Sequence, residues 1–346
     1  MDLLELRRQD YTLEEDQQLL LTAFGEFFRE QCPTSLVRAS EPLGFNQDLW
    51  NRLVEMGGTS MGLPESAGGD GAGMVELELV AEEFGRSIAP VPYIEHTVTS
   101  RALATAGTSS VLEGALDGSH ILALASFPVR AGSPQLVPAG AIANSVLALV
   151  GDDLVLFTVD NPPAHVVNQG STPLSWWDFD AITDQVVIAS GSQAKAIYAR
   201  AHDERMVLMA AALVGMTESA LAIIVEFSKT RETMGVPIAT LQGVAFPMTD
   251  VAIGIAGARN IARKAAWYLD HAPDERPELA AIAMVYASQT ATHGTQVSAH
   301  LQGGLGFTIE ADASLYFLRS KGWGSLAGDP QAKLLAIGDH VLNTVK

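Results

Sequence analysis

The sequence predicts an α+β protein in three consecutive parts: an N-terminal helical domain over residues 1–117, a middle β domain over 118–202 and a C-terminal four-helix bundle over 203–346. Three observations predict it. Residues 13–37 and 47–56 alternate polar and apolar side chains at helical spacing. From about Ser119 the texture changes to short apolar runs at 121–124, 145–150, 154–159 and 185–189, parted by Gly151-Asp152-Asp153, Asn161-Pro162-Pro163 and Gly170, which is the pattern of an antiparallel β domain. After Asp203 four apolar-periodic helices, roughly 204–230, 240–270, 277–302 and 330–344, are joined by short connections, as in a bundle.

Composition narrows the function classes. A chain of 346 residues is long enough for two or three domains, and 48% hydrophobic with 18% charged residues fits a packed globular protein. A net charge of −19 argues against nucleic acid or an anionic membrane as partner, because both need positive surface. The single cysteine, Cys32, excludes an internal disulfide framework and reads as a small buried apolar residue in a reducing compartment. No apolar run looks long enough for a spanning helix and the acidic N-terminus lacks a basic signal-peptide start, so the chain reads as cytoplasmic.

Element by element, Thr12 with Glu15 reads as a capping box and Asn46 as the cap of the next helix. The stretch 62–71 is Gly-rich, but no strand precedes it and no Lys follows, so it reads as a connecting loop rather than a phosphate cradle. In the β segment Trp176 and Trp177 are adjacent and must point to opposite faces. Residues 206–229 form a buried or half-buried helix that stops near Thr233, because Gly235 supplies a turn and Val236-Pro237 forces extended backbone. Arg231 at that helix end, Gln242 in the first turn of the next helix and Gly235 between them make a donor-rich corner suited to a phosphate or a carboxylate.

The run Arg231-x-x-Met234-Gly235-x-Pro237-Ile238-x-x-Leu241-Gln242 is similar to the R-x-x-F-G-x-P-I-x-x-F-Q signature of acyl-CoA dehydrogenases, with Met234 and Leu241 in place of aromatics. Gly303-Gly304-Leu305-Gly306-Phe307-Thr308-Ile309-Glu310, followed by Leu315-Tyr316-x-x-Arg319, resembles the C-terminal segment of that family. The Gly-rich loop and the stretch 84–92 resemble its helical N-terminal domain, where the loop helps wall the acyl pocket. The resemblance implies the three-part acyl-CoA dehydrogenase fold, flavin adenine dinucleotide (FAD) as cofactor, and α,β-dehydrogenation of an acyl-CoA thioester. In that family FAD lies across a subunit interface, the neighbour's bundle holding its adenine and pyrophosphate. Carried over by motif, the residues for that half are Arg231, Met234, Gln242, His300, Gln302, Gly303 and Gly304. His300 stands where the family usually has glutamine, with Gln302 beside the glycines instead.

The other half of the family's site looks degraded. Where the family carries a T-E-P-x-A-G-S-D-like loop, residues 125–133 read Ala-Ser-Phe-Pro-Val-Arg-Ala-Gly-Ser, so Phe127 replaces the acid and the loop lacks its Asp. The two places where members carry the catalytic glutamate hold Ala327 and Arg205, and neither a methyl nor a guanidinium takes up a proton. No catalytic residue is therefore assigned. His293 and His300, with Gln296 between them, lack a third ligand, so no metal site is assigned either. The pattern resembles the degenerate partner subunit of actinobacterial α2β2 steroid-CoA dehydrogenases, which implies a catalytic subunit as partner and activity only in the heteromer. Two alternatives stand beside this: a homotetrameric dehydrogenase with a displaced base, Glu204 or Asp329, and a non-catalytic acyl-CoA-binding scaffold. A bundle built for a partner also leaves an apolar face exposed, since obligate interfaces are core-like in composition.

Overall fold

The structure, a computed structural model, describes residues 12–108 and 111–344. Helix α1 (Glu15–Gln31) starts with a capping box two residues beyond the expected one: the Glu14 carboxylate accepts from the backbone of Gln17, and the Glu14 N–H donates to Gln17 Oε1 at 3.0 Å. Pro33 brings no N–H to a helical ladder, so the expected helix over 13–37 is two, and α2 (Thr34–Ala39) begins after it. Helix α3 (Gln47–Glu55) is capped as expected, Asn46 Oδ1 accepting from Leu49 N at 2.8 Å. Helices α4 (Met74–Arg86), α5 (Tyr93–Thr105) and α6 (Leu112–Leu116) complete the N-terminal part.

The strands are β1 (Leu122–Leu124), β2 (Gln135–Val137), β3 (Ser145–Val150), β4 (Asp153–Thr158), β5 (Ser175–Trp177) and β6 (Gln185–Ser190). Four of them form a sheet in the order β1-β3-β4-β6, and β2 pairs with β5 in a second small sheet. The expected purely antiparallel arrangement is corrected at one edge: β1 runs parallel to β3, which the chain permits because β2 and its flanking loops cross between them. Side-chain alternation then divides the tryptophans, Trp177 being buried in the core with Phe157, Phe179, Val137 and Val146 while Trp176 is exposed.

Helix α7 (Gly191–Thr230) begins directly after β6, ahead of the expected start near 204, because the polar stretch 191–205 is itself helical. A hairpin of β7 (Glu232–Thr233) and β8 (Val236–Pro237) follows, then α8 (Gln242–His271), α9 (Leu279–Leu301), α10 (Asp312–Trp323) and α11 (Pro330–Thr344). Helix α10 is additional to the four expected. It buries Ala313, Leu315, Tyr316, Arg319, Ser320 and Trp323 around much of its circumference, so no single apolar stripe announces it. Contrary to the sequence expectation, α7 does contain an apolar window long enough to cross a membrane, and most of that window is buried inside the protein.

The described chain divides into two compact units: one gathers the chain up to Ser35, Glu78–Ala89 and the chain from Met206 onward, the other Leu36–Leu77 and Pro90–Arg205. In the first, α4 and α7 cross at glycines, where a Cβ on Gly85 would lie 1.9 Å from the Ala212 carbonyl oxygen and one on Gly215 1.9 Å from that of Glu82. Only glycine permits that approach. Cys32 is buried in this unit, and desolvation pushes its thiol up to about 12, so it behaves as an apolar residue. In the second unit buried His96 accepts from Leu122 N (3.3 Å) through Nδ1 and donates through Nε2 to Ala115 O (3.0 Å).

Candidate functional site

Helix α7 ends at Thr230, and Arg231 leads into the hairpin, its carbonyl accepting from Ile238 N at 2.8 Å. Met234 and Gly235 take φ of 52° and 79°, the two consecutive positive values of a two-residue hairpin turn, and glycine accepts this where most side chains resist. Arg231 and Gln242 are exposed, and Met234 is 96% exposed. At the end of α9 the chain makes a 3-10 turn (Gly303–Phe307), with Gly303 at φ 64° and nothing within 4 Å of a Cβ placed on Gly303 or Gly304. His300 is exposed, and half-buried Gln302 keeps its Nε2 buried without a hydrogen-bond partner, as does the Oγ1 of Thr308. The site residues thus fall into two groups, one at the hairpin and the start of α8, the other at the end of α9, and no hydrogen bond joins the groups among the described residues. Large apolar side chains stand exposed on the same elements: Leu241, Phe246, Ile253, Leu305, Phe307 and Ile309.

The second unit holds one of the two base positions. Arg205 is buried and its Nε lies 2.9 Å from Glu95 Oε1, while Nη1 reaches Ser126 Oγ at 3.4 Å. Burial raises the Glu95 carboxyl above its ordinary range, and the Arg205 guanidinium partly offsets this. Glu204 is held from two sides: Arg101 Nε and Nη2 meet its oxygens at 2.9 and 3.3 Å, and Arg200 Nε meets Oε1 at 2.8 Å. Arg101 also donates through Nη1 to the carbonyl of Gly62 at 2.6 Å, tying the Gly-rich loop to the same carboxylate. In the degraded loop both backbone polar groups of Phe127 are engaged by one side chain, Gln135, whose Oε1 accepts at 3.1 Å and whose Nε2 donates at 3.0 Å.

In the first unit Ala327 is buried at the other base position. Asp329, two residues on, is exposed and caps α11, its Oδ1 accepting from Gln331 N at 3.0 Å. The amine of Lys333 lies 3.4 Å from a Cβ placed on Gly328 and 3.1 Å from Met206 Sδ. His293, Gln296 and His300 line the exposed side of α9, and no group of three metal-ligating side chains occurs among the described residues. Sequence reasoning missed Glu95, Arg101 and Gln135. Glu95 and Arg101 left a trace, as an acid and a base within the otherwise largely uncharged stretch that becomes helix α5.

A helical N-terminal part, a small mixed sheet and a helical C-terminal part with open glycines at the end of α9 define a flavin-dependent dehydrogenase architecture. Residues 14–117 match the model of the acyl-CoA dehydrogenase N-terminal domain and residues 194–342 that of the C-terminal domain. The chain belongs to the acyl-CoA dehydrogenase family. It is 26% identical to acyl-CoA dehydrogenase IpdE2 of Mycolicibacterium smegmatis over 328 residues, 93% of this chain and 97% of that one. It is 27% identical to acyl-CoA dehydrogenase FadE27 of Mycobacterium tuberculosis, covering 87% of this chain and 89% of the relative. Among solved structures, the Tcur3481-Tcur3483 steroid ACAD superposes with a TM-score of 0.86 at 26% identity, covering 96% and 99% of the two chains. The ChsE4-ChsE5 complex from Mycobacterium tuberculosis, at 23% identity and a TM-score of 0.83 over 96% and 99%, shares the fold.

Members of the family are FAD-dependent flavoproteins. The residues present fit the phosphate and adenine end of that cofactor. The open backbone at Gly303 and Gly304 admits a phosphate, Arg231 offers a fork of donors, and the buried unpartnered Nε2 of Gln302 is a donor in want of an acceptor.

Proposed function

We propose that this chain is the non-catalytic partner subunit of a heteromeric acyl-CoA dehydrogenase, contributing the FAD adenine and pyrophosphate side of a site completed by a catalytic subunit. The observation that carries the reading is the state of the base positions: a buried methyl at Ala327, and at Arg205 a guanidinium already paired with Glu95. The displaced bases do not replace them. Glu204 is engaged by two guanidiniums and Asp329 by a helix terminus, so each carboxylate already has a structural role. Gln135 supports the same reading from the ring side, because it satisfies the backbone that a ring would otherwise meet.

Arg231, Gln242, Gly303 and Gly304 would hold the pyrophosphate by guanidinium, amide and open backbone, with Met234, His300 and Gln302 against the adenine end. When bound, FAD accepts the β-hydride of the acyl group. This chain's residues orient the cofactor and exclude water, and the carboxylate that takes the α-proton comes from the partner. The exposed apolar residues around the hairpin and the turn after α9 suit a face covered by that partner. The Tcur3481-Tcur3483 protein is named as a steroid ACAD with two chains, which supports a bulky CoA thioester such as a steroid side chain and assembly with a second subunit. The reading takes that assembly to be α2β2, with two active sites and a cytoplasmic setting.

Colour tests the proposal. The chain expressed alone should be colourless and should gain flavin when co-expressed with a dehydrogenase that keeps its glutamate. A homotetrameric enzyme would be yellow alone, and a scaffold would stay colourless in both cases.

A further inference from the structure

Helices α4, α7 and α8 meet in the first unit over an ionic cluster, buried at Glu78, Glu82 and Glu83 and partly exposed at Arg86, Arg259 and Glu218, that the dehydrogenase reading does not use. Four carboxylates, Glu78, Glu82, Glu83 and Glu218, face three guanidiniums, Arg86, Arg259 and Arg263. Arg86 binds Glu82 at 3.0 Å, Glu83 at 3.0 Å and Glu218 at 2.6 Å, and Arg259 binds Glu82 at 2.8 Å and also Glu218. That leaves Arg263 for Glu78, at 3.4 Å on Oε2, while the same guanidinium leans toward Glu82 at 3.9 Å. Glu78 is fully buried and its Oε1 has no hydrogen-bond partner. The cluster is one positive charge short, and the shortfall falls on the carboxylate that water cannot reach.

We propose that Glu78 carries a proton in the native protein around neutrality, which makes the seam between α4 and α8 a pH-sensitive joint that weakens in mild alkali. An uncompensated buried carboxylate is far costlier than a buried acid, because only the charged form forfeits ionic hydration. The charged groups that bear on it are Arg263 and Arg259 from α8 and Glu82 from its own helix, and Glu218 of α7 reaches it only through the shared guanidiniums. Burial outweighs the neighbouring charges and lifts its carboxyl from 4.5 to about 7. A carboxyl raised in the folded state holds its proton there after the unfolded chain has released it. Stability is therefore complete below about 4.5 and falls as pH rises through 7.

The test is calorimetric unfolding of the purified full chain and its Glu78→Gln variant at pH 4.0 and pH 8.5. The amide mimics the neutral acid, so the two should melt together at pH 4.0, where folded and unfolded wild type both hold the proton, and the variant should melt higher at pH 8.5 by about 4 °C. A variant that melts lower by the same amount at both values would overturn the proposal, since the charge would then be needed for the pair with Arg263. Should the variant not fold, infrared spectroscopy of the wild-type chain decides. The carbonyl stretch of a protonated carboxylic acid should persist at pH 6.0 and vanish by pH 8.5, and its absence at pH 6.0 refutes the inference.

Discussion

Replacing Glu204 by glutamine separates a clamp from a base. The carboxylate sits between Arg101 and Arg200, both partly buried, and receives three hydrogen bonds from them between 2.8 and 3.3 Å. An amide keeps one acceptor oxygen and loses the charge, so at least one guanidinium hydrogen bond is lost and both cations lose their counter-ion. A hydrogen bond to a charged group contributes about 1.5–3 kcal/mol, and partial exposure of both arginines discounts the charge loss, so the cost is about 2 kcal/mol. For a chain of this length that corresponds to a fall in Tm of roughly 3 °C. Turnover by the assembled heteromer should stay within about threefold of wild type, whereas loss of a true base costs orders of magnitude. The assays are thermal unfolding and single-turnover flavin reduction on the same preparation. An unchanged Tm with a hundredfold drop in rate would refute the reasoning and restore Glu204 as the base.

Arg231→Ala should lower the flavin content of the heteromer without lowering its Tm, because the residue is exposed in this chain; equal occupancy by absorbance would remove the cofactor assignment. Asp329→Asn should leave turnover within about threefold and the Tm nearly unchanged, since asparagine caps a helix about as well as aspartate. Gly215→Ala should abolish soluble folded protein, as its methyl would meet the Glu82 carbonyl at 1.9 Å; recovery of normal circular dichroism and Tm would contradict the close helix crossing. Acid should destabilise the second unit through His96, whose burial lowers it from 6.5 to about 4. The unfolded chain binds that proton first, so the contribution of His96 falls by about 3 kcal/mol as pH drops from 6.5 through 4; because Glu78 gains stability over the same range, the urea midpoint is followed in the Glu78→Gln chain, where a flat midpoint would exclude it.

The order of helix, strand and helix was legible because amphipathic period and turn residues are local, and so were the cap at Asn46 and the turn at Gly235. The parallel pairing of β1 with β3 was not, because nothing in either run encodes its direction. Helix α10 was hidden by burial around much of its surface, and the early start of α7 by polar residues at exposed positions. For the site, residue types at Arg231 and Gly303-Gly304 carried the phosphate chemistry directly. The partners that disarm the base positions, Glu95 for Arg205 and Arg101 for Glu204, come from a helix about a hundred residues away in sequence. Only the fold pairs them.

Whether flavin and a second subunit join this chain together decides its role. Sedimentation velocity recorded at the flavin band, on the chain alone and after co-expression with a glutamate-bearing dehydrogenase, measures both at once. The chain alone should give no flavin signal, and the mixture a single boundary of α2β2 mass carrying two flavins. A stable flavin-loaded homotetramer at micromolar concentration, unchanged by the second chain, would contradict the partner-subunit role.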